Sequence, residues 1–470
     1  MTPRQVLQLI AQQKIEYVDL RYMDFPSLWQ SVTIPAHRVK ADIFERGMGF
    51  DGSLVRGWQA INEADMLLVP VASTAHVNPF AERPTLCMIC DVKDPVTRKQ
   101  FSRDPRSIAR KAADYLQHSK IADRALLGPE LEFFIFDRAS YGSGVNRASY
   151  LVDSVEGVWN RDSDDPTNLG QQTPLLEGAY HAPPVDSLGD LRAEMVSTLE
   201  TLGIAIDQTH HEVATGGQCE IDIHHQDLVR IADSVVLAKW AIKSLATAYG
   251  KVATFMPKPL YKTNGSGMHT HFSLWKAGKP IFPGRHYAGL SQLGLYAVGG
   301  LLKHAPAILA FSNPTTNSFK RLVPGYEAPI HLVYSSRNRA AAIRVPVYSD
   351  DPQTKRLEFR CPDSACNPYL AFAAMTMAAI DGIKNRIDPG EPLDKQLEEL
   401  DPAAYDQVPT TPHSLEESLD ALEADHDFLL EGEVFTESLV HYWIKYKRDI
   451  EVDALRQRPH PYEFDMYFSV

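Results

Sequence analysis

Alternation of apolar and polar residues dominates the first hundred positions and predicts short β-strands. Such alternation places one face of a strand in the core and the other face in solvent. Proline, glycine, aspartate and asparagine separate the segments, as is usual between the strands of a small mixed sheet. Before them, the first ten residues predict an amphipathic helix. The predicted strands cover residues 16–22, 30–34, 66–69 and 85–90.

A helical period replaces this alternation after residue 102. Asp104 followed by Pro105 is typical of a helix N-terminus, because aspartate caps the first turn and proline fits the first helical position. The helix is predicted to continue through Leu116. We place a domain boundary just before it, which divides the chain into a small domain, 1–102, and a large domain, 103–470.

The large domain combines strands and helices, so the pattern predicts an α+β protein. A strand is predicted from Gly128, and residues 141–170 are rich in small polar residues and predict an excursion on the surface. Ser187 and Asp190 form a capping box before a helical stripe that ends at Gly203. Further helices are predicted over residues 227–249, 286–304 and 368–385.

Composition and charge narrow the classes of protein. The chain has 470 residues, 44% hydrophobic and 23% charged, as in globular proteins large enough for more than one domain. Its formal charge of −13 argues against a nucleic-acid or anionic-membrane partner. No basic region precedes an apolar one at the N-terminus, so we expect no signal peptide. The uncharged stretch 368–380 is too short to span a bilayer.

The five cysteines are scattered over a long chain in an odd number, which does not suggest a disulfide framework. Cys87 and Cys90 form a Cys-x-x-Cys pair that could belong to a metal site or lie buried in a strand. No second pair completes a metal site, so buried strand cysteines are the favoured interpretation. This use of cysteine predicts a reducing cytoplasm.

The segment from Asn264 to Ser273 carries the clearest chemical signal. A glycine-rich turn leads into a strand-like stretch in which His269, His271 and Ser273 share one face. A half-buried strand normally presents apolar groups on one face, so this pattern calls for a ligand, a metal or a polar network. A pair of structural histidines is the alternative that the segment alone leaves open.

Several carboxylates fall in similar strand-like segments. Glu130 and Glu132 share one face beside an apolar run, where two like charges repel unless a cation lies between them. A solvated strand face is the alternative. Glu212 and Glu220 converge if their segment forms a hairpin, whereas Glu358, flanked by arginines, could belong to a surface salt bridge. Hard divalent cations such as Mg²⁺ or Mn²⁺ prefer these oxygen ligands.

Arginines cluster late in the chain and complete a pattern suited to phosphoryl transfer from a nucleotide. Guanidinium groups bind phosphate and carboxylate in a bidentate manner, while metals neutralise the moving phosphoryl group. Neither a P-loop nor the kinase motifs are present. The turn-rich segment 313–329 could close over a site and bring Glu327 to it, or it could be a plain surface loop. The arginines are Arg321, Arg339, Arg344, Arg356 and Arg360.

Taken together, these segments resemble bacterial type I glutamine synthetases, and the match is nearly full-length. Several motifs in the right order make the resemblance specific. It implies a small N-terminal β-grasp domain and a large catalytic domain with a curved antiparallel sheet flanked by helices. The motifs are Phe50-Asp-Gly-Ser53, Gly57-Trp-x-x-Ile-Asn-Glu-x-Asp65-Met, Gly128-Pro-Glu-x-Glu-Phe-Phe, His210-His-Glu-Val-Ala-Thr, Phe255-Met-Pro-Lys-Pro, Asn264-Gly-Ser-Gly-Met-His, Asn313-Pro-Thr-Thr-Asn-Ser and Arg321-Leu-Val-Pro-Gly.

The resemblance implies a reaction in which ATP phosphorylates the γ-carboxylate of glutamate and ammonia then displaces the phosphate. Two or more Mg²⁺ or Mn²⁺ ions would assist by neutralising charge. Carried over position by position, one metal would be held by Glu132, Glu212 and Glu220, and the other by Glu130, His269 and Glu358. The ATP site would be lined by His225, His271, Ser273, Arg339, Arg344 and Arg356.

The same resemblance assigns the remaining residues. Asp51, Glu327 and Arg339 would be catalytic, with Asp51 helping to deprotonate ammonium and Glu327 on a closing flap. Asp51 would reach the catalytic domain of a neighbouring subunit within a dodecamer of two stacked hexameric rings, and the C-terminal tail would insert into the opposite ring. Glutamate would be held by Asn264, Gly265, His269, Arg321 and Arg360, and ammonium by Asp51, Ser53, Tyr180, Glu212 and Glu327.

Departures from the family leave two rival functions to weigh. Glu398 stands where the related subclass carries an adenylylated tyrosine, so we predict no adenylylation there. Leu54 replaces a usual serine and His225 a frequent aromatic residue, but neither change removes a ligand. The nearest rival is a γ-glutamyl–amine ligase of the same fold, and the other is a non-catalytic structural homologue. All the residues expected to bind ammonium are present, which favours ammonia over a larger amine as the acceptor. The six positions expected to bind metal argue against a non-catalytic homologue.

Overall fold

The computed structural model describes residues 1–57, 64–166, 168–395, 401 and 407–470. Position 398, on which the prediction about adenylylation depends, lies outside these residues. So does part of the family motif that follows Gly57.

The N-terminal part is a mixed sheet preceded by an amphipathic helix, as predicted. In the described residues the sheet has six strands in the order β2-β1-β6-β4-β3, with β5 pairing β6. β1 runs parallel to β6 and antiparallel to β2. The elements are α1 (Pro3–Gln12), β1 (Tyr17–Met23), β2 (Trp29–Pro35), α2 (Ile43–Arg46), β3 (Met48–Asp51), β4 (Asp65–Pro70), β5 (His76–Val77) and β6 (Thr85–Lys93).

Cys87 and Cys90 lie on β6 and are free, with 0% and 1% of their surface exposed. The prediction of buried strand cysteines is therefore confirmed. β6 is buried along nearly its whole length because it is an inner strand that pairs with β1, β4 and β5.

The predicted helix after residue 102 is present as α3 (Pro105–His118), and the Asp104 carboxylate accepts a hydrogen bond from the Arg106 backbone N–H. Arg106 joins the two parts of the chain. Its guanidinium lies 2.6 Å from Asp91 on β6 and 2.9 Å from Asp233 in the large domain. This buried network fixes the small sheet against the helices behind the site.

In the described part of the chain, the large domain is built on a ten-stranded sheet in which only β16 and β17 pair in parallel, so it is mixed rather than purely antiparallel. Its order is β10-β11-β7-β14-β18-β17-β16, and an exposed hairpin, β8-β9, stands apart from it. The strands are β7 (Arg124–Phe136), β8 (Arg138–Gly144), β9 (Arg147–Asp153), β10 (Ile206–His211), β11 (Gln218–Ile223), β12 (Gln226–Asp227), β13 (Val252–Thr254), β14 (Met268–Lys276), β15 (Lys279–Pro280), β16 (His331–Ser335), β17 (Ala341–Arg344) and β18 (Leu357–Phe359).

Helices pack around this sheet, and the longest ones match three of the predicted stretches. α6 and α8 cross closely because Gly300 and Gly382 face each other, and a Cβ on Gly300 would lie 2.1 Å from the Ala378 carbonyl oxygen. The helices are α4 (Gly189–Thr201), α5 (Leu228–Ala248), α6 (Gln292–Ser312), α7 (Ser318–Arg321), α8 (Pro368–Asn385), α9 (Leu415–Ala424), α10 (Asp427–Leu430), α11 (Glu437–Lys447), α12 (Asp453–Arg456) and α13 (Pro461–Tyr467).

Two helix starts differ from the predictions. The capping box at Ser187 and Asp190 is wrong, because Leu188 is the N-cap of α4 and no side chain caps it. The Ser187 backbone N–H instead donates to Glu156. α6 starts at Gln292, later than predicted, because the Ser291 hydroxyl caps it by accepting from the Gly294 N–H.

Most of the described residues within 141–170 lie on the surface, as predicted, but Ser154 and Glu156 are buried, and the segment begins as part of the regular β8-β9 hairpin. The C-terminal tail is a helix whose apolar side chains Tyr462, Phe464, Met466 and Phe468 are exposed.

One described helix, α6, is long and apolar enough to cross a membrane by length and composition. However, 72% of that window is buried inside the protein. It packs against α8, the helix that contains the uncharged stretch noted in the sequence. Burial against other helices accounts for its apolar character.

Candidate active site

A polar cleft of about 700 Å³ opens on one face of the large sheet. All but two of the residues predicted for the site line this cleft. The two exceptions are Asp51 and Ser53 of the small domain. They contact each other, with Asp51 Oδ1 lying 2.6 Å from the Ser53 hydroxyl, and both are at least partly exposed on the outside of the chain.

The register of β14 against β7 and β18 brings the first group of polar side chains together. His269 pairs with Glu130, and His271 pairs with Glu358. His271 Nε2 lies 2.8 Å from Glu130 Oε1, and His269 Nδ1 lies 3.0 Å from Glu130 Oε2. The buried positions between them, such as Thr270, point to the opposite face. The predicted polar face of this strand is therefore confirmed.

A hairpin supplies the second group, as the sequence predicted. Gly216 and Gly217 have φ values of +82° and +87°, which only glycine adopts without strain, so the chain turns there between β10 and β11. This turn places His210 opposite Glu220, which in turn lies opposite Glu132 on β7. His210 Nε2 lies 3.4 Å from Glu220 Oε1.

Burial and mutual repulsion disfavour ionisation of the carboxyl groups in this second group. Burial raises the pKa of Glu220 well above its usual range, and the charges of Glu132 and Glu212 raise it further. Burial also raises the pKa of Glu132 to about 7, with Glu212 adding to the shift. Carboxylates held this close without a cation are destabilising. The solvated-face alternative for Glu132 does not hold, because only 6% of this residue is exposed.

The first group is held in its ionised form. Burial opposes the charge of Glu130, but hydrogen bonds from His269 and His271 outweigh it and lower the pKa of Glu130 well below its usual range. Glu358 is 2% exposed and lies 2.8 Å from Arg344 and 3.2 Å from Arg360. The alternative of a surface salt bridge for Glu358 is therefore excluded.

The two groups suit divalent cations. In each, the candidate ligand atoms lie within 4.8 Å of one another. Oxygen ligands with one imidazole are the donor set that Mg²⁺ and Mn²⁺ accept. The group around Glu130 contains His271, while His269 lies between Glu130 and Glu132, at 3.0 and 3.9 Å. The groups are Glu130, His271 and Glu358, and His210, Glu212 and Glu220.

Arginines cover the cleft wall next to these carboxylates. Arg321 donates to the backbone carbonyls of Arg360 and Cys361 at 3.1 and 2.8 Å, and its Nη2 lies 3.3 Å from His269 Nε2. Within the described residues, Nη1 of Arg360 and Nδ1 of His271 are buried without a hydrogen-bond partner. Such buried donors fit an anionic ligand that would accept from them.

The opposite end of the cleft is more exposed and aromatic. Ser273 accepts a hydrogen bond from the Trp275 indole at 3.0 Å, and the rings of His225 and His224 pack at a tilt of 37° with their centroids 4.3 Å apart. Burial, followed by the charge of His224, lowers the pKa of His225. Flat rings and a nearby guanidinium, Arg356, form a surface suited to a planar base and its phosphates.

The segment 313–329 is only partly the loop that the sequence suggested. Asn313 is fully buried, and α7 occupies its middle and delivers Arg321 to the cleft. Only its last part projects over the cleft, where Glu327 adopts φ +53° and lies 3.8 Å from Arg339. Tyr180 lies nearby, with its ring 4.6 Å from that of His210.

Comparison with known proteins identifies the family. The protein-family model described as the glutamine synthetase catalytic domain matches residues 102–467, and the family model described as the glutamine synthetase beta-Grasp domain matches residues 14–95. The chain belongs to the glutamine synthetase family. The glutamine synthetase of Aquifex aeolicus is 54% identical over 469 residues, with 100% of this chain and 99% of the relative covered. That of Nostoc is 52% identical over 472 residues, with both chains fully covered.

Solved structures agree. Plasmodium falciparum glutamine synthetase is 29% identical and superposes with a TM-score of 0.90 over 99% of each chain. A complex of GmaS with ADP is 27% identical, with a TM-score of 0.82 over 99% of each chain. The fold predicted from the resemblance, a β-grasp domain followed by a catalytic domain on a curved sheet, is confirmed.

Reasoning from the sequence missed two residues that line the cleft and one polar neighbour of Glu132. His210 completes the second group, Asp222 lines the cleft beside Glu220, and Gln218 donates to Glu132 at 3.1 Å. The signal was the two-residue spacing along each strand of the hairpin, since His210 precedes Glu212 by two and Asp222 follows Glu220 by two. These side chains meet because of the register between neighbouring strands, which cannot be read from the sequence alone.

Proposed function

We propose that this family member is a glutamine synthetase, which joins ammonia to the γ-carboxylate of glutamate with ATP hydrolysed to ADP and phosphate. The observation that carries the proposal is one cleft in which two buried carboxylate groups adjoin a wall of arginines. The carboxylates attract metal ions, and the arginines attract phosphate and carboxylate groups. Phosphoryl transfer to a carboxylate needs both.

The metal ligands and substrate residues retain the roles that the sequence suggested. Glu132, Glu212 and Glu220 would hold one Mg²⁺ or Mn²⁺ ion, while Glu130, His269 and Glu358 would hold the other, with His271 also next to Glu130 and Glu358. When bound, these ions neutralise charge on the transferred phosphoryl group. Arg339, Arg344 and Arg356 would orient the phosphates of ATP at the exposed end of the cleft.

The amino-acid end of the cleft would hold glutamate and ammonium. The buried Nη1 of Arg360, which has no hydrogen-bond partner among the described residues, would donate to a carboxylate of the substrate, and Arg321, Asn264 and Gly265 also line the cleft. Ammonium would lie among Tyr180, Glu212 and Glu327, where anionic groups converge. Asp51 and Ser53 would complete that site from a neighbouring subunit, because neither lines the cleft of its own chain.

The assembly would accordingly place active sites between subunits, in a dodecamer of two stacked hexameric rings. The exposed apolar side chains of α13 support an assembled state, since a contiguous apolar surface of this kind is rarely left in water. The cytoplasm remains the expected compartment, and the fact that all five cysteines are free supports this expectation. We also propose that the small domain ends at residue 102 and the large domain begins at residue 103.

The experiment measures phosphate release by the purified protein with ATP, glutamate and Mg²⁺ or Mn²⁺, comparing ammonium with a panel of primary amines. Ammonium should be the best acceptor, and Asp51→Ala should lose most of the ammonium-driven rate. Release driven only by a larger amine would move the function to the γ-glutamyl–amine ligases. Absence of release with every acceptor would contradict both and favour a non-catalytic homologue.

A further inference from the structure

We propose that Lys258 is a positioning residue whose ammonium ties the flap at Tyr326 to the loop that precedes Asn264. No role has been given to this lysine in the reaction described above. It lies behind the cleft wall and joins the two segments that the proposed function assigns to glutamate and ammonium. The inference rests on that proposed function only for its catalytic consequence, since the link itself is a matter of structure.

The Lys258 ammonium has two partners, and neither is a carboxylate. It donates to the backbone carbonyl of Thr263, the residue immediately before Asn264. It also lies over the ring of Tyr326, with Nζ 4.3 Å from the centroid. A cation at this distance is attracted by the electron-rich face of the ring. One side chain therefore contacts both segments at once.

The backbone of Lys258 is fixed by a third element. Its N–H donates to Asn317 Oδ1 at 2.7 Å, and its carbonyl accepts from Asn317 Nδ2 at 3.1 Å. Asn317 immediately precedes α7, the helix that ends at Arg321. The side-chain amide of Asn317 thus makes two hydrogen bonds to the Lys258 backbone and fixes the start of the Lys258 side chain. The ammonium is therefore more restricted in direction than that of a surface lysine.

Partial burial strengthens this arrangement. The side chain is half-buried, and burial together with the nearby charge of Arg321 lowers the pKa of Lys258 to about 8. A cation that has given up part of its hydration gains more from an aromatic face than one in bulk water does. While the amine is protonated, below about pH 8, the cation–π contact is therefore stronger than that of a fully hydrated surface lysine.

The flap itself has few other anchors. Pro324, Gly325 and Glu327 are exposed, and Glu327 adopts a positive φ. Its ion pair with Arg339 is long at 3.8 Å, and both side chains are more than half exposed, so it contributes little. Tyr326 is the half-buried residue between them. Loss of its partner should increase opening of the flap and expose the cleft to water.

The first test is hydrogen–deuterium exchange of peptides that span residues 323–329 in the full-length protein. Lys258→Met and Tyr326→Leu should each speed exchange by about 3- to 30-fold, the range expected for loss of one cation–π contact. Lys258→Arg and Tyr326→Phe keep the cation and the ring, and should stay close to wild type. The double variant Lys258→Met/Tyr326→Leu should exchange no faster than either single variant, because both remove the same contact.

Lys262→Met is the matched control. Lys262 lies in the same loop and contacts a tyrosine, Tyr261, at 5.5 Å, but both residues are exposed. Its flap exchange should equal that of wild type. Unchanged flap exchange in Lys258→Met, or equal changes in Lys258→Met and Lys258→Arg, would overturn the inference.

The catalytic consequence has its own readout. With ATP and glutamate but no ammonium, a loosened flap should admit water to the phosphorylated intermediate. The ratio of ammonium-independent to ammonium-driven phosphate release should then rise in Lys258→Met and recover in Lys258→Arg. If wild type releases no phosphate with any acceptor, the proposed function fails while the exchange result still decides whether Lys258 holds the flap.

Discussion

Burial of like charges governs the cleft at the scale of single residues. Glu132, Glu212 and Glu220 lie close together on neighbouring segments, and the pKa values of Glu132 and Glu220 are raised by burial and, in both cases, by the charge of Glu212. A fold tolerates such a cluster when a bound cation offsets the repulsion. The loss of stability without metal and the gain of stability with bound metal should therefore both be measurable by substituting one of these residues.

Glu220→Gln should stabilise the metal-free protein and remove its response to metal. The amide keeps the size of the side chain but removes a buried charge, so the melting temperature without metal should rise at neutral pH. Wild type should gain about 3 kcal/mol when Mn²⁺ is present at a hundred times its Kd, and the variant should gain far less. Differential scanning calorimetry with and without Mn²⁺ measures both effects.

Glu200→Gln is the control, because Glu200 is exposed on α4 away from the cleft. It should leave both melting temperatures unchanged. A metal response in Glu220→Gln equal to that of wild type would contradict the assignment of this group to a cation.

Close helix packing behind the sheet dominates at the scale of elements. The α6–α8 crossing brings Gly300 and Gly382 together with their Cα atoms near contact. Rigid packing here supports the sheet that carries the cleft, because α6 also leads directly into the segment that delivers Arg321.

Gly300→Ala should destabilise the protein although alanine is the better helix former. Alanine gains about 1 kcal/mol in helix propensity. Its Cβ, however, would lie 2.1 Å from the Ala378 carbonyl and force two buried helices apart, at about 1–3 kcal/mol or more. Urea unfolding should show a net loss. Gly142→Ala, on the exposed hairpin with open space around its Cβ, should cause no loss.

His304 links three helical segments and should make stability depend on pH. Its ring lies 2.9 Å from Asp381 on α8 and 2.7 Å from Asp425 after α9. Burial disfavours the charged ring, but hydrogen bonds to both carboxylates outweigh it and raise the pKa of His304 above its usual 6.5. The stabilisation is thus fully present below pH 6.5 and is lost as the pH rises through the folded-state value.

His304→Gln cannot carry this charge, so its free energy of unfolding should fall below that of wild type by about 1–3 kcal/mol near pH 6. The deficit should shrink at alkaline pH. Urea unfolding at a series of pH values measures the difference. His118→Gln, at the exposed end of α3, should show no such trend. A deficit that is constant with pH would mean that His304 acts through packing on Phe428 alone.

At the scale of the whole molecule, the single chain leaves its proposed ammonium site incomplete. Asp51 and Ser53 contact each other outside the cleft, although their motif is intact. The simplest completion is a second copy of the chain whose small domain reaches this cleft. That arrangement predicts complementation between inactive variants.

Asp51→Ala and Glu212→Ala should each be inactive as pure assemblies but partly active when co-assembled. A mixed interface can combine an intact Asp51 from one chain with an intact Glu212 from the other. Random pairing in equal amounts should restore about one quarter of wild-type ammonium-driven activity. Steady-state assays of co-expressed, co-purified variants test this. Recovery close to zero would place Asp51 and Glu212 of each site in the same subunit.

Periodicity identified most elements, and local capping or register decided where it failed. α8 matches its predicted bounds because Asn367 caps it and Pro368 fits the first turn. The start of α4 was wrong because Glu156, distant in sequence, holds the Ser187 N–H. No local pattern reports a partner that is distant along the chain.

The sequence by itself determined the chemistry of the cleft and the family of the protein. Strand spacing placed His269 and His271 on one face, and a glycine pair predicted the hairpin that carries Glu212 and Glu220. Tertiary structure decided what those side chains contact: His210 lies beside Glu212 and Glu220, and Lys258 contacts Tyr326 of the flap. The physical reason is range, since periodicity is set by bonded neighbours, whereas register and cation contacts depend on residues brought together only by folding.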